Sequence, residues 1–393
     1  MSSWKINLWV LSISVVFTSA SYTMIIPFLP VYLLEIGVDE TEVAMWSGAI
    51  FSVSFLIGAI MAPIWGKIAD KSGKRLMALR AGFCLGAVYL LGAFVTSSEQ
   101  LFVVRILQGF ANGFMPAALA LVSSSVPQKE LGVSLGMMQT GQIVGSVVGP
   151  LLGGILAHVF GMRLSFLIAG ILLLLVTAIV AIRVKEPEKV KDINAGSSIF
   201  DDLKRSMHNS VLVKMLLLTI VVQIAIMVLQ PVVTLYVGKL QGNMDDAVFS
   251  SGVIFSLGGI AGAFAAPVWG KLGQSKGYIK TMACAFIGAG FFNFLQFFPT
   301  SILGFAGLQF LFGLFIVGIH PSISAVLAKC TETSFRGRVF GIATTAHQCG
   351  SMIGPLLGGL ISSVLGIKFV FFFTGIMLFI IGVIVFCLRK KLE

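Results

Sequence analysis

Charged residues are scarce in this chain of 393 residues. They make up 11% of the sequence, against about 25% in soluble domains. Hydrophobic residues make up 57%, and the mean hydropathy is +1.00. This composition excludes a soluble enzyme and makes the membrane span, about 20 apolar residues long, the unit to look for.

Motifs for nucleotide or metal chemistry are also missing from the sequence. It has no G-x4-G-K-[ST] P-loop, no H-E-x-x-H zinc motif and no G-x-S-x-G serine elbow. The five cysteines are widely spaced, with neither metal-ligand spacing nor a secreted disulfide pattern. We therefore expect no enzyme, no bound metal and no cofactor.

Twelve apolar stretches are each long enough to cross a membrane. They are bounded by charged residues or by clusters of Gly, Pro and Asn, and lie at 6–34, 44–66, 76–96, 101–124, 131–158, 163–183, 211–238, 247–270, 279–298, 302–328, 338–363 and 368–388. We number these predicted spans 1 to 12. Segment 184–210 is the sizeable polar linker, so the sequence predicts bundles at 1–183 and 211–393.

Positive charge lies almost entirely on one side of this arrangement. Of the 27 Lys and Arg residues, most fall in the termini and in the loops that share a side with segment 184–210, and Arg80 is counted with them. The opposite loops have only Arg163, Lys239 and Lys368, and Arg105 lies within span 4. The positive-inside rule then predicts that both termini are cytoplasmic, and nucleic acid is not an expected partner.

The two halves of the chain repeat each other. APIWGKIA at 62–69 returns as APVWGKLG at 266–273, and Tyr32 returns as Tyr236 in the same register. Further along, GPLLGG from Gly149 returns as GPLLGG from Gly354. Parallel repeats of this kind predict two six-helix bundles related by an axis normal to the membrane, which can rock about a site at their interface.

Three motifs in the first half carry further information. The glycines and charges of GKIADKSGKR at 66–75 suit a tight turn with a releasable charge pair, although a solvated basic loop would look the same. Arg105 in RILQGFANG is costly inside a span unless it faces a partner or an aqueous cavity, or snorkels to the surface. In span 5, glycines every fourth residue with Pro150 form a smooth, bendable stripe.

In this order and on these spans, the motifs resemble those of the major facilitator superfamily, and the third resembles its antiporter motif. The chain is similar throughout to twelve-helix drug:proton antiporters, the multidrug exporters of the MdtG and PmrA type. The resemblance implies an all-α integral membrane fold, alternating access and proton import that drives export of amphipathic compounds. It also implies gating or bending roles for Gly66, Asp70, Gly73, Lys74, Arg75, Gly145, Gly149, Pro150, Gly153, Gly154, Gly354 and Pro355.

Every carboxylate falls in or beside a loop, which departs from antiporters that place an acid in a cavity helix. The titratable residues left for proton coupling are Arg105, His320 and His347, and the two histidines fall at a similar predicted depth. Packing histidines would be an equally good interpretation. Other polar or aromatic candidates for substrate binding are Tyr22, Trp46, Gln108, Asn112, Gln139, Gln142, Gln223, Gln230 and Gln348.

Together these features predict a secondary transporter, expected as a monomer in a bacterial plasma membrane. Its expected partners are membrane lipids, protons and a small amphipathic substrate, with the proton gradient as the energy source. Neutral, zwitterionic or weakly anionic substrates fit an arginine without a buried acid better than dications do. An importer or facilitator of a polar solute, a lipid translocase and a transport-inactive sensor remain alternatives.

Overall fold

A computed structural model describes residues 3–186, 208–244, 246–332 and 335–389. Its helices are α1 Ser3–Glu35, α2 Val43–Ser72, α3 Lys74–Gly92, α4 Ser98–Ala111, α5 Phe114–Ser125, α6 Leu131–Arg183, α7 Ser210–Met227, α8 Gln230–Gln241, α9 Ala247–Lys276, α10 Tyr278–Leu295, α11 Ile302–Ile316, α12 Ile319–Lys329, α13 Arg336–Leu365 and α14 Ile367–Cys387. Taking α4 with α5, α7 with α8 and α11 with α12, the described residues give 11 candidate membrane spans.

Three predicted spans are broken helices, which the hydropathy pattern did not predict. Span 4 is interrupted at Asn112 and Gly113, where Gly113 has a φ of 123°. The breaks in spans 7 and 10 separate α7 from α8 and α11 from α12. Such breaks free backbone groups that must find new partners inside a membrane, and in transporters they line functional sites.

The longest element, α6, covers predicted spans 5 and 6. It has 53 residues and is interrupted at Gly161, whose φ of 77° and ψ of 167° are not helical. At about 1.5 Å per residue, either part is long enough to cross a bilayer.

Two compact units divide the chain. The first comprises Met1–Val190 with Asn243–Ser256, and the second comprises Lys191–Gly242 with Leu257–Glu393. The first turns of α9 therefore belong to the first unit, whereas the sequence placed all of α9 in the second bundle. Most of the linker predicted at 184–210, namely 187–207, lies outside the described residues.

Each unit contains the same glycine-mediated helix pair. In the first, Gly145, Gly149 and Gly153 of α6 lie against the backbone of α1 at Val16, Ala20 and Met24. In the second, Gly350, Gly354 and Gly358 of α13 lie against α7 and the residue after it, at Ile220, Ile224 and Val228. A Cβ atom at any of these glycines would collide with its neighbour, so the stripe sets how closely the helices approach.

Candidate functional site

Arg105 and Gln108 form a buried polar pair in α4 of the first unit. They lie one turn apart on the same helix face, and Arg105 Nη1 donates a hydrogen bond of 2.6 Å to Gln108 Oε1. Arg105 is 4% exposed and Gln108 is 2% exposed. The arginine therefore does not snorkel to the surface, which was one interpretation of its position.

The pair offers more donors than its surroundings use. Arg105 Nη2 and Gln108 Nε2 are both buried and have no hydrogen-bond partner among the described residues. Nor does any carboxylate in that part of the chain pair with Arg105. A buried guanidinium without a counter-ion is costly, so this site favours water or a ligand that brings acceptor oxygens.

The neighbours of Arg105 hold its helix in place and add aromatic surface. Ser54 Oγ of α2 donates a 3.0 Å hydrogen bond to the carbonyl oxygen of Arg105. The guanidinium carbon lies 5.9 Å from the centre of the Phe51 ring, at the outer limit of a cation–π contact. The partly exposed Tyr22 packs edge-on against Phe55, with ring centres 6.3 Å apart.

The second unit brings its two predicted histidines together. His320 is the second residue of α12, directly after the break in span 10, and His347 lies in α13. Their ring centres are 5.9 Å apart with the planes at 47°, and both side chains are partly exposed. The two imidazoles are therefore close enough for a proton on one to raise the electrostatic cost of a proton on the other.

Gln223, another predicted binding residue, has a structural partner in the same unit. Its Nε2 donates 2.9 Å to Ser351 Oγ, and that hydroxyl donates 3.0 Å to the carbonyl oxygen of His347. This chain of hydrogen bonds ties α7 to α13 beside the histidines. Gln223 is 3% exposed, so its amide fixes the helix that carries His347.

The gating residues predicted at 66–75 meet the end of α6. Gly73 has a φ of 104° between α2 and α3, and the backbone N–H of Lys74 donates 2.7 Å to Glu186 Oε1. Arg75 Nη2 donates to the carbonyl oxygen of Ala181. Gly66 faces open space, and the side chain of Asp70 lies outside the described part of the structure.

Pro150 and Gly154 of α6 contact the start of α9, within the first unit. A Cβ at Gly154 would lie 3.1 Å from Phe249 Cα, and one at Gly252 would collide with the carbonyl oxygen of Pro150. Ser256 Oγ donates a 2.7 Å hydrogen bond to the carbonyl oxygen of Val147. The far half of the glycine stripe thus packs on two helices at once.

The other predicted residues are dispersed. Gln139 and Gln142 are exposed, and Trp46, Asn112 and Gln348 are partly exposed. Gln230 is 9% exposed at the start of α8, and Pro355 is buried in α13. Their surroundings give no reason to assign them to one pocket.

Sequence reasoning missed three residues with specific contacts. Arg80 and Trp65 both bond to carbonyl oxygens at the break between α4 and α5, and Glu186 accepts from the start of α3. Arg80 falls within predicted span 3, so its charge inside an apolar stretch was a usable signal. Trp65 returns as Trp269 in the repeat, which was another.

Comparisons with known proteins agree with this architecture. The family model described as Major Facilitator Superfamily matches residues 11–279 and 215–393. Over 386 residues the chain is 33% identical to the multidrug resistance protein MdtG of Proteus mirabilis (strain HI4320), a match that covers 96% of this chain and 94% of that protein. The MdtG protein of Escherichia coli (strain SMS-3-5 / SECEC) is also 33% identical, with 96% and 93% covered.

Solved transporter structures share the fold at much lower sequence identity. A point mutant of the nucleoside transporter NupG superposes with a TM-score of 0.82 at 12% identity, covering 98% of this chain and 99% of that one. A bacterial homolog of the human lysosomal transporter Spinster gives a TM-score of 0.79 at 14% identity, covering 100% and 98%. These two likenesses establish the fold alone.

Proposed function

Because this chain belongs to the major facilitator superfamily, we propose that it exports amphipathic drugs or related small organic compounds in exchange for protons. It is a secondary transporter, a multi-pass protein of the bacterial plasma membrane. Its similarity along almost the whole length to multidrug resistance proteins of two bacteria supports efflux. Alternating access is the mechanism that the repeat architecture favours.

We assign twelve crossings with both termini in the cytoplasm. The break at Gly161 lets α6 cross the membrane twice, which adds one crossing to the 11 candidate spans. The asymmetry of Lys and Arg in the loops supports the orientation. We expect the transporter to act as a monomer surrounded by lipid, and to need no cofactor beyond the proton gradient.

The observation that carries proton coupling is the proximity of His320 and His347. Histidine changes its charge within the pH range that a membrane proton gradient spans. Both side chains are partly exposed, and the ring centres lie 5.9 Å apart. His320 is in α12, directly after the break in span 10, and His347 is in α13. A proton held there can be taken up on one side and released on the other as the surroundings alternate between the two faces.

Arg105 and Gln108 supply the substrate preference in this proposal. Their unpaired donors suit neutral, zwitterionic or weakly anionic compounds, and no acid is buried among the side chains that the structure describes. The ring of Phe51 near Arg105 and the Tyr22–Phe55 pair of the same unit add apolar surface.

The decisive experiment measures protons and substrate together. The purified protein is reconstituted in vesicles with an acidic lumen, and probes are added outside: tetraphenylphosphonium as a cation, Nile red as a neutral compound and anilinonaphthalene sulfonate as an anion. We expect the neutral or anionic probe to collapse the gradient in wild type and to accumulate inside. His320→Ala combined with His347→Ala should lose both effects.

His158→Ala is the matched control, because this histidine of the first unit is 53% exposed and pairs with Asp246. It should keep wild-type coupling. If a probe moves without any proton flux, the protein is a facilitator or a lipid translocase. If no probe moves or binds, it is not an exporter of this class.

A further inference from the structure

The break between α4 and α5 is held by side chains of two other helices. Asn112 follows the last residue of α4, and Gly113, with a φ of 123°, precedes the first residue of α5, so nearby carbonyl oxygens lose their helical partners. Arg80 of α3 donates from Nη1 to the carbonyl oxygen of Phe110 and from Nη2 to that of Asn112, both at 2.9 Å. One guanidinium thus binds two carbonyl oxygens at the end of α4 and in the break.

Trp65 of α2 completes this arrangement. Its Nε1 donates 3.0 Å to the same carbonyl oxygen of Phe110. The guanidinium carbon of Arg80 lies 3.8 Å from the centre of the Trp65 ring, a close cation–π stack. Gly113 leaves the room that this requires, because a Cβ there would lie 3.1 Å from Arg80 Nη2. We call Arg80 and Trp65 the clamp.

The second repeat has only half of the clamp. Trp269 Nε1 donates 2.7 Å to the carbonyl oxygen of Leu314, near the break between α11 and α12. Trp65 with Phe110 and Trp269 with Leu314 are the same pairs in the register of the APIWGKIA repeat. In that register Cys284 stands where the first repeat has Arg80. The arginine is therefore specific to the half that contains Arg105.

The clamp is connected to the buried polar pair through one turn of backbone. The N–H of Asn112 donates 3.1 Å to the carbonyl oxygen of Gln108, whose side chain accepts from Arg105. At the other end of that turn, Ser54 bonds to the carbonyl oxygen of Arg105. Moving the break would therefore shift the groups assigned to substrate binding.

We propose that Arg80 is a positioning residue for substrate binding, acting through the break in span 4 to hold Arg105 and Gln108 in place. This inference rests on the function proposed above. A guanidinium suits the role because its planar fork reaches two carbonyl oxygens at once while its face stacks on an indole. A lysine keeps the charge but cannot do both.

The test compares Arg80→Gln and Arg80→Lys with Arg183→Gln, which removes an exposed cation from the end of α6. Hydrogen exchange in peptides covering 105–117 reports on the break, and binding of anilinonaphthalene sulfonate and Nile red to purified protein reports on the site. In both Arg80 variants we expect exchange at least about tenfold faster and probe affinity about tenfold weaker, because small misplacements of binding groups are costly. KM for transport should rise with little change in the maximal rate.

Trp65→Phe tests whether a smaller loss of contacts at the break has a smaller effect on hydrogen exchange and probe affinity. Trp65→Phe removes one of the two donors to Phe110, so it should change exchange and affinity less than Arg80→Gln does. If Arg80→Lys behaves like wild type, charge alone matters and the fork argument is wrong. If exchange rises while affinity and KM stay unchanged, Arg80 only stabilises the fold and the proposal is overturned.

A failure of the role proposed for Arg80 can be distinguished from a failure of the proposed transport function. If wild type binds a probe but moves no protons, proton coupling fails while the affinity comparison still tests Arg80. If wild type binds none of the probes, the role in substrate binding falls together with the proposed function. Unchanged exchange in both Arg80 variants would overturn the clamp by itself.

Discussion

The centres of the imidazole rings of His320 and His347 lie 5.9 Å apart. His320 is on α12, which begins directly after the break in span 10, and His347 is on the next helix, α13. At this separation two protonated rings repel each other, so the pair favours one proton over two. We infer that the histidines work as one unit in proton coupling.

Each single histidine variant should therefore lose nearly as much substrate-driven proton flux as the double variant. We expect His320→Gln and His347→Gln each to reduce substrate-driven proton flux by at least about tenfold, with little further loss when they are combined, as for groups that act as a unit. Proton flux in reconstituted vesicles, with protein amounts matched, checks this. Losses that multiply in the double variant would show that the histidines act independently.

A second prediction concerns the unpaired charge of Arg105. Gln108→Glu would place a carboxylate where Arg105 Nη1 already makes a 2.6 Å hydrogen bond. The new ion pair should raise the free energy of unfolding by about 1–3 kcal/mol and weaken binding of anilinonaphthalene sulfonate about tenfold. Thermal unfolding and fluorescence titration measure the two effects.

Gln100→Glu is the control for that substitution. Gln100 lies in the first turn of α4, is exposed, and uses its side-chain oxygen to accept from Thr96. A carboxylate there keeps the acceptor and should leave both measurements unchanged. Stronger binding of the anion by Gln108→Glu would contradict the assignment of Arg105 as a group that favours acceptors.

The fold class could be predicted because membrane spans and internal repeats can be recognised from the order of residues along the chain. The resemblance to the major facilitator superfamily, and within it to multidrug resistance proteins of the MdtG type, is confirmed by the comparisons. The clamp was not predicted, because it depends on Arg80 and Phe110 meeting across two helices. Hydropathy cannot reveal such a pair, nor the helix breaks, since Asn112 and Gly113 barely interrupt an apolar stretch.

The predicted orientation can be tested with single cysteines in a variant in which Ser replaces the five native ones. Lys185→Cys lies just after α6, and Asp246→Cys lies just before α9; both native side chains are exposed. The positive-inside rule predicts that a membrane-impermeant maleimide labels position 246 in intact cells and position 185 only after permeabilisation. The opposite pattern would mean that the termini face outward.

The glycine stripes make the sharpest prediction about stability, because the two repeats supply matched tests and matched controls. Gly145 lies against the carbonyl oxygen of Val16, and its repeat partner Gly350 lies against that of Ile220. Alanine at either position should push the paired helices apart. This should lower the free energy of unfolding by about 1–3 kcal/mol, as overpacking does.

Gly136 and Gly341 occupy the same helices and also correspond in the repeat, but a Cβ at either would meet nothing within 4 Å. Gly136→Ala and Gly341→Ala should therefore be neutral or slightly stabilising, because alanine favours helix. Thermal unfolding in detergent and transport in vesicles measure all four variants. Equal effects at all four would show that helix propensity dominates. A loss at 145 and 350 alone would show that the stripe acts by close helix contact in both halves.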